Sequence, residues 1–394
     1  MGSKIHARHS VIYAILKEIS VGRFILLRHI RARAYIIIMI ENTPFQKIEV
    51  NDVWGMEPDD DPNCLLGKRF LCRGRGGMII GPSGAGKSSF ILQFACSLAI
   101  GKPFFGIGHP KKGQPLRVLL VQAENDALEV AEVIKSIAEA EKWSQATKKL
   151  LHENLHIYCI WEEVGEKFAA WLGGRAKDHE IDVAFVDPLM SFCGGNVTNN
   201  KDMSAFLRQN INSQLKKQNH KNPDLMNFGM IVAHHTGKTG DEPSEDPTSY
   251  DGMGASELTN WSRFVMNITK SKLSTTEQRV FNLSITKRGN RSGMLNSASP
   301  GSYKCVIQHS IKQGIKPVTA KNSENGHGTG LNWIYWEKHE PAIKGETPPK
   351  SGAKRIRPPN PRTAKARAAR AAASSPVVAT EKPVKAVAPS AIKA

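Results

Sequence analysis

Short apolar runs alternate along the chain with stretches in which apolar residues recur every three or four positions. Met78-Ile-Ile80 is the first such run and leads straight into a glycine-rich segment. Lys87–Ala99 places Phe90, Ile91, Phe94 and Leu98 on one face, with Gly101 beyond its end, and so predicts a helix. Val118–Val121 predicts a buried strand, and Ala127–Trp143 a helix through Val130, Val133, Ile134 and Ile137. His156–Trp161 and Val183–Val186 read as strands with a helical segment around Phe168–Trp171 between them. Asp202–Lys217 is the next helix and Met230–Ala233 the next buried strand. After that the texture changes. Arg263–Ile268 and Val280–Thr286 read as neighbouring strands joined by a polar turn at Lys272–Gln278, and Leu331–Trp336 as a last strand. Alternating strands and helices imply parallel pairing through right-handed crossovers. The expected fold class is therefore α/β: a mostly parallel sheet, helices on both faces, and an antiparallel C-terminal strand extension.

Charge divides the chain further. The 394 residues carry a net charge of +18, unevenly placed. Residues 1–35 hold seven Lys/Arg and one Glu, and residues 348–394 hold eleven and one, leaving 36 bases against 34 acids between them. The body is nearly neutral, and the basic ends suit polyanions through counterion release. The expected division is a basic N-terminal extension over 1–50, one α/β domain over 51–345 and a disordered basic tail over 346–394. Residues 348–394 are rich in Ala, Pro and Lys/Arg and poor in the residues that offset ordering entropy. The apolar run at Ile36–Ile40 falls far short of the ~20 residues of a membrane span, and no signal-type cleavage site follows it. It suits an amphipathic basic helix, or a segment outside the fold if translation begins at Met39. Six scattered cysteines without a C-x-x-C pair argue against a disulfide framework or a zinc site. They fit a reducing, cytoplasmic location.

Candidate chemistry clusters at strand ends. Gly81-Pro82-Ser83-Gly84-Ala85-Gly86-Lys87-Ser88 matches the complete phosphate-loop pattern, with an apolar strand before it and a helix after it. Glycines let backbone N–H groups curl around a phosphate, and the helix N-terminus adds partial positive charge. Lys87 supplies a point charge to the β/γ-oxygens, and Ser88 offers Mg²⁺ a hydroxyl. ATP and Mg²⁺ are thus the expected cofactors. Asp187 ends the hydrophobic strand Val183–Val186 and is the expected second Mg²⁺ contact, whereas Asp182 lies at the wrong end of that strand. Glu124 ends the strand after the phosphate-loop helix, Val118–Val121, and could polarise the attacking water. His234 and His235 end a further strand, where a neutral imidazole could sense the γ-phosphate.

Those motifs, in that order, resemble the RecA-like P-loop ATPases, and within them the RepA-type hexameric helicase branch and its AAA-family relatives. The matching pieces are Gly81–Ser89, Gln122–Asp126, Phe185–Leu189, Ala233–Lys238, Gly254–Arg263 and Thr286–Arg291. The resemblance implies Glu124 as catalytic base, Asp187 on Mg²⁺ and the His234/His235 pair as γ-phosphate switch. It also implies that ATP sits between subunits of a homo-oligomer, a hexamer in that branch, and receives a basic finger from the neighbour. Arg263, Lys287, Arg288 and Arg291 are the candidates. Loops 193–202 and 237–260 would face DNA, single-stranded by preference, with the basic tail 348–394 assisting. Acidic residues Asp241, Glu242, Glu245, Asp246 and Asp251 in the second loop are unpromising for gripping DNA. The expected function is an ATP-hydrolysing motor on DNA, a ring-forming replicative helicase of a plasmid, phage or mobile element. The alternative is an ATP-switched DNA-binding scaffold that does not unwind; a small-molecule P-loop kinase is disfavoured.

Overall fold

The computed structural model describes residues 48–222, 225–236, 247–252, 256–275, 279–294, 303–309 and 335–339. The N-terminal basic extension up to residue 47, the tail 348–394 and much of the 237–255 loop lie outside the described residues, as does 331–334 of the expected last strand. A short helix, α1 (Val50–Val53), precedes a small hairpin of β1 (Cys64–Leu66) and β2 (Leu71–Cys72). The main sheet has nine strands. They are β3 (Gly76–Gly81), β4 (Val118–Gln122), β5 (Leu155–Cys159), β6 (Val183–Asp187), β7 (Gly229–His235), β8 (Val265–Lys270), β9 (Val280–Lys287), β10 (Lys304–His309) and β11 (Trp336–Lys338).

Their order across the sheet is β11-β10-β9-β8-β3-β7-β6-β4-β5. Every neighbouring pair from β8 to β5 is parallel, and β9, β10 and β11 add antiparallel strands on the β8 edge. The fold class is the expected one, and β3 lies inside the parallel part. Side chains alternate across this buried sheet, so each strand feeds two cores. Ile79, Leu120, Phe185 and Ile231 pack on one face with helix α2 (Lys87–Ala99). Met78, Ile80, Val121, Val186 and Val232 pack on the other with α5 (Gly165–Asp178). Helix α2 is buried on nearly all sides, between the sheet and α3 (Ala127–Ala140) and α4 (Gln145–Asn154).

The expected helix Asp202–Lys217 is instead three pieces: α6 (Asn200–Ser204), a π-helical segment Ala205–Ile211, and α7 (Asn212–Leu215). The expected last strand starts later than its aromatic run suggested, at Trp336. A short helix, α8 (Ser256–Trp261), occupies the end of what read as loop.

Candidate active site

Parallel strands align their carboxyl ends on one rim, and that rim carries the phosphate loop. The register pairs Gly81 of β3 with His235 of β7, and Gln122 of β4 with Asp187 of β6. Residues 82–84 of the loop are exposed, while Ala85 and Lys87 are buried. Gly84 and Gly86 have φ of +73° and +81°. A side chain at Gly84 would meet nothing within 4 Å, whereas one at Gly86 would approach Trp336 to 2.9 Å and His309 to 3.0 Å. Gly86 therefore needs glycine for both its backbone and its space.

Lys87 Nζ donates to the carbonyls of Gly81 and Pro82, both at 2.9 Å, and lies 3.2 Å from His235 Nδ1. Burial pulls the lysine down to about 8, opposed by the charges of Asp187 and Glu124. Burial and the Lys87 ammonium likewise hold His235 below the usual imidazole range, which leaves Nδ1 neutral and able to accept from Lys87. The Ser88 hydroxyl lies beside the Asp187 carboxylate and favours its charged form. Asp187 is 4 % exposed, and burial pushes it up to about 6 despite Ser88 and Lys87. Glu124 is exposed and acts electrostatically on Lys87, Asp187 and His235, so it stands at the same rim.

Local chemistry fixes the Glu124 turn. Asp126 caps α3, accepting from the N–H groups of Leu128 and Glu129, while its own N–H donates to Glu129 Oε2 at 2.9 Å. Asn125 Nδ2 donates to Gln122 Oε1 and the Ala123 N–H to the Asp187 carbonyl, tying the turn to both strand ends.

The structure separates other expected partners. Strand alternation turns His234 away from Lys87, onto the Met78/Ile80 face and beneath Gly252, so His235 alone of the pair reaches Lys87. The Ser89 hydroxyl donates to the Gly86 carbonyl and accepts from the Trp336 indole, an internal role. Loop 193–202 is tied by its own side chains: Asn196 Oδ1 accepts from Thr198, and Asp202 Oδ2 from the Asn196 N–H. Asn200 Oδ1 accepts from Ser256 Oγ and the Glu257 N–H, so this loop meets the start of α8.

Arg263, Lys287, Arg288 and Arg291 all lie at the other rim. The Arg263 N–H donates to the carbonyl of Gly76, the foot of β3, and Lys287 pairs with Val265 at the foot of β8. Arg263 and Arg288 line a small cleft with Arg69, Phe70, Cys72 and Arg75. Burial and the neighbouring guanidiniums lower the pKa of both Arg263 and Arg288. Lys287 Nζ donates to the carbonyls of Thr259 and Ser262 at the end of α8, and Arg291 to the Lys68 carbonyl.

A family model described as an AAA domain matches residues 42–241, just over half of the chain. This chain belongs to the AAA-domain family. The matched span contains Gly81–Ser89, Glu124, Asp187, His234 and His235; the four bases of the opposite rim lie beyond it. No curated protein matches the chain. The AAA-type ATPase domain is a nucleotide-binding module, and the donor set fits that class. Lys87 and the loop amides suit phosphate oxygens, and the Ser88 hydroxyl beside the Asp187 carboxylate suits a hard cation that takes oxygen ligands. No helix among the described residues is long and apolar enough to cross a membrane.

Proposed function

We propose that this chain is an ATP-hydrolysing motor acting on DNA as a homo-oligomeric ring, with strand unwinding for replication of a plasmid, phage or mobile element as its task. One observation carries the reading. Lys87, Ser88, Asp187, Glu124 and His235 gather at one rim, while Arg263 and Arg288 stand at the opposite end of the same sheet. Six residues of β3 span about 17–20 Å, so those arginines serve a nucleotide on another subunit better than their own.

In this reading Lys87 binds the β/γ-phosphate oxygens and Glu124 takes a proton from the attacking water. His235 follows the γ-phosphate through its contact with Lys87. Ser88 and Asp187 hold Mg²⁺, which supplies charge neutralisation at the phosphates. Arg263 or Arg288 acts as the finger in trans. Their place on the cleft wall favours them over Lys287, whose ammonium is occupied at the end of α8. Loop 193–202 and the loop ending in α8 meet through Asn200, which supports a joint DNA-facing surface.

ATP turnover with and without single-stranded DNA tests this directly. Wild-type protein is expected to hydrolyse faster on DNA, and Lys87→Ala to lose turnover in both conditions. DNA binding with an unchanged hydrolysis rate would replace the motor with the switched scaffold, and turnover surviving in Lys87→Ala would remove the site itself.

A further inference from the structure

The β1–β2 hairpin stands apart from the nucleotide rim and carries two of the six cysteines face to face. Cys64 and Cys72 are direct cross-strand partners. The Arg73 N–H donates to the Asn63 carbonyl at 2.8 Å, which makes Cys64/Cys72 a non-hydrogen-bonded antiparallel pair. Such pairs hold their Cα atoms about 4.5 Å apart, inside the ~4.4–6.8 Å range that a disulfide spans. Cys64 Sγ donates to the Gly67 carbonyl at 3.4 Å. Cys64 Sγ also accepts from the Arg69 N–H at 3.2 Å, and Cys72 Sγ donates to Asp61 Oδ2. Both cysteines are half-buried, and Cys72 forms part of the wall of the arginine cleft.

We propose that Cys64 and Cys72 are an oxidisable dithiol that a peroxide converts to an intramolecular disulfide. Cys64 is the attacking sulfur. The neighbouring Cys72 thiol and the Arg69 N–H hold its thiol down at about 7, while the Cys64 sulfur beside it and burial push Cys72 up. The remaining cysteines differ: burial pushes Cys96, Cys159 and Cys305 up, the last to about 11, and Cys193 is buried. The thiolate form is the nucleophile, so oxidation selects Cys64.

The Cys64 thiolate attacks one oxygen of hydrogen peroxide, the O–O bond breaks, and hydroxide leaves and takes up a proton as water. Cys64 is then a sulfenic acid. The Cys72 sulfur attacks it, the S–O bond breaks, and a second water leaves with the Cys72 proton. Two thiols and one peroxide become one disulfide and two waters, with the peroxide reduced and the sulfurs oxidised. The geometry of the hairpin carries this inference without any assumption about nucleotide.

The test treats the reduced full-length protein with hydrogen peroxide, quenches with an alkylating agent and digests with trypsin. Cleavage after Lys68 or Arg69 separates the two cysteines, so their disulfide survives as a linked peptide pair. That pair is expected to form about tenfold or more faster than Cys305 is oxidised, given the thiolate fractions. In Cys72→Ser, dimedone is expected to trap a sulfenic acid on Cys64; in Cys64→Ser it should label neither position. Melting temperatures matching wild type show that both variants fold. Linkage of Cys64 to any other cysteine, or oxidation of Cys305 ahead of the hairpin pair, overturns the proposal.

Discussion

Burial holds the Asp187 carboxyl up at about 6, above the ordinary value of 3.8, and the direction of that shift sets a stability consequence. A folded-state pKa above the unfolded one means that the folded chain binds more protons between those values. Stability of the nucleotide-free protein therefore falls as pH climbs from about 4 through about 6, and the full cost is present at neutral pH. Asn at this position keeps an acceptor for the Ser88 hydroxyl and removes the ionisation. Asp187→Asn is expected to raise the melting temperature of nucleotide-free protein by a few degrees at pH 7.5 and to leave it unchanged near pH 4. The same variant should lose about a hundredfold or more of Mg²⁺-dependent turnover, as removal of a preorganised charge at a reacting phosphate does. Thermal melts across pH together with steady-state rates check both halves. A melting temperature lowered at pH 7.5 would mean that the carboxylate stabilises the fold, contrary to the burial argument.

Elements were legible where burial wrote a pattern. β3, β4, β6 and β7 are buried on both faces, so their apolar runs are nearly continuous, and the motifs Gly81–Ser89, Glu124, Asp187 and His235 stand at their ends. The α4 helix buries none of its residues and left no apolar stripe to read. The π-helical segment at Ala205–Ile211 keeps a helix-like spacing, so its break from α geometry is invisible in the sequence. β1 and β2 have three and two residues, too short for any periodicity, which is why the Cys64/Cys72 pair passed as scattered cysteines. The separation of His234 from His235 follows from strand alternation, but only once the face of β7 is known. β11 was the hardest, because Trp336 is explained by a distant partner. Its main chain exchanges hydrogen bonds with the Gln93 side chain, and its indole donates to Ser89 and packs on Phe90, all in α2. Trp336→Ala is expected to cost about 3–5 kcal/mol. Denaturant unfolding should show it, with nucleotide affinity falling too, because the indole also backs Gly86. A loss under about 1 kcal/mol would mean that this edge strand contributes little to holding α2.

Across the whole molecule, charge and symmetry make separate claims. The tail 348–394 holds eleven of the bases and one acid. Its removal is expected to weaken DNA binding and to flatten the salt dependence by roughly 0.7 in log–log slope for each phosphate the shortened chain no longer neutralises. Titrations at several salt concentrations measure this, and an unchanged slope would assign DNA binding to the ATPase body. The proposed ring makes the stronger claim, because it assigns the two rims of one sheet to different nucleotides. A head-to-tail interface that closes gives every site one phosphate loop from one subunit and one arginine cleft from the next. Arg263→Ala/Arg288→Ala protein keeps an intact Lys87, and Lys87→Ala protein keeps intact arginines, so each alone should be nearly inactive while the double arginine variant still binds ATP. Mixed in equal amounts and allowed to exchange, roughly a quarter of the interfaces then join a working loop to working arginines, and about that fraction of wild-type turnover should return. Light scattering with ATP present shows whether the mixture assembles. Assembly without any return of turnover would place the missing base elsewhere, and full turnover by the double arginine variant alone would show that each subunit hydrolyses ATP without its neighbour.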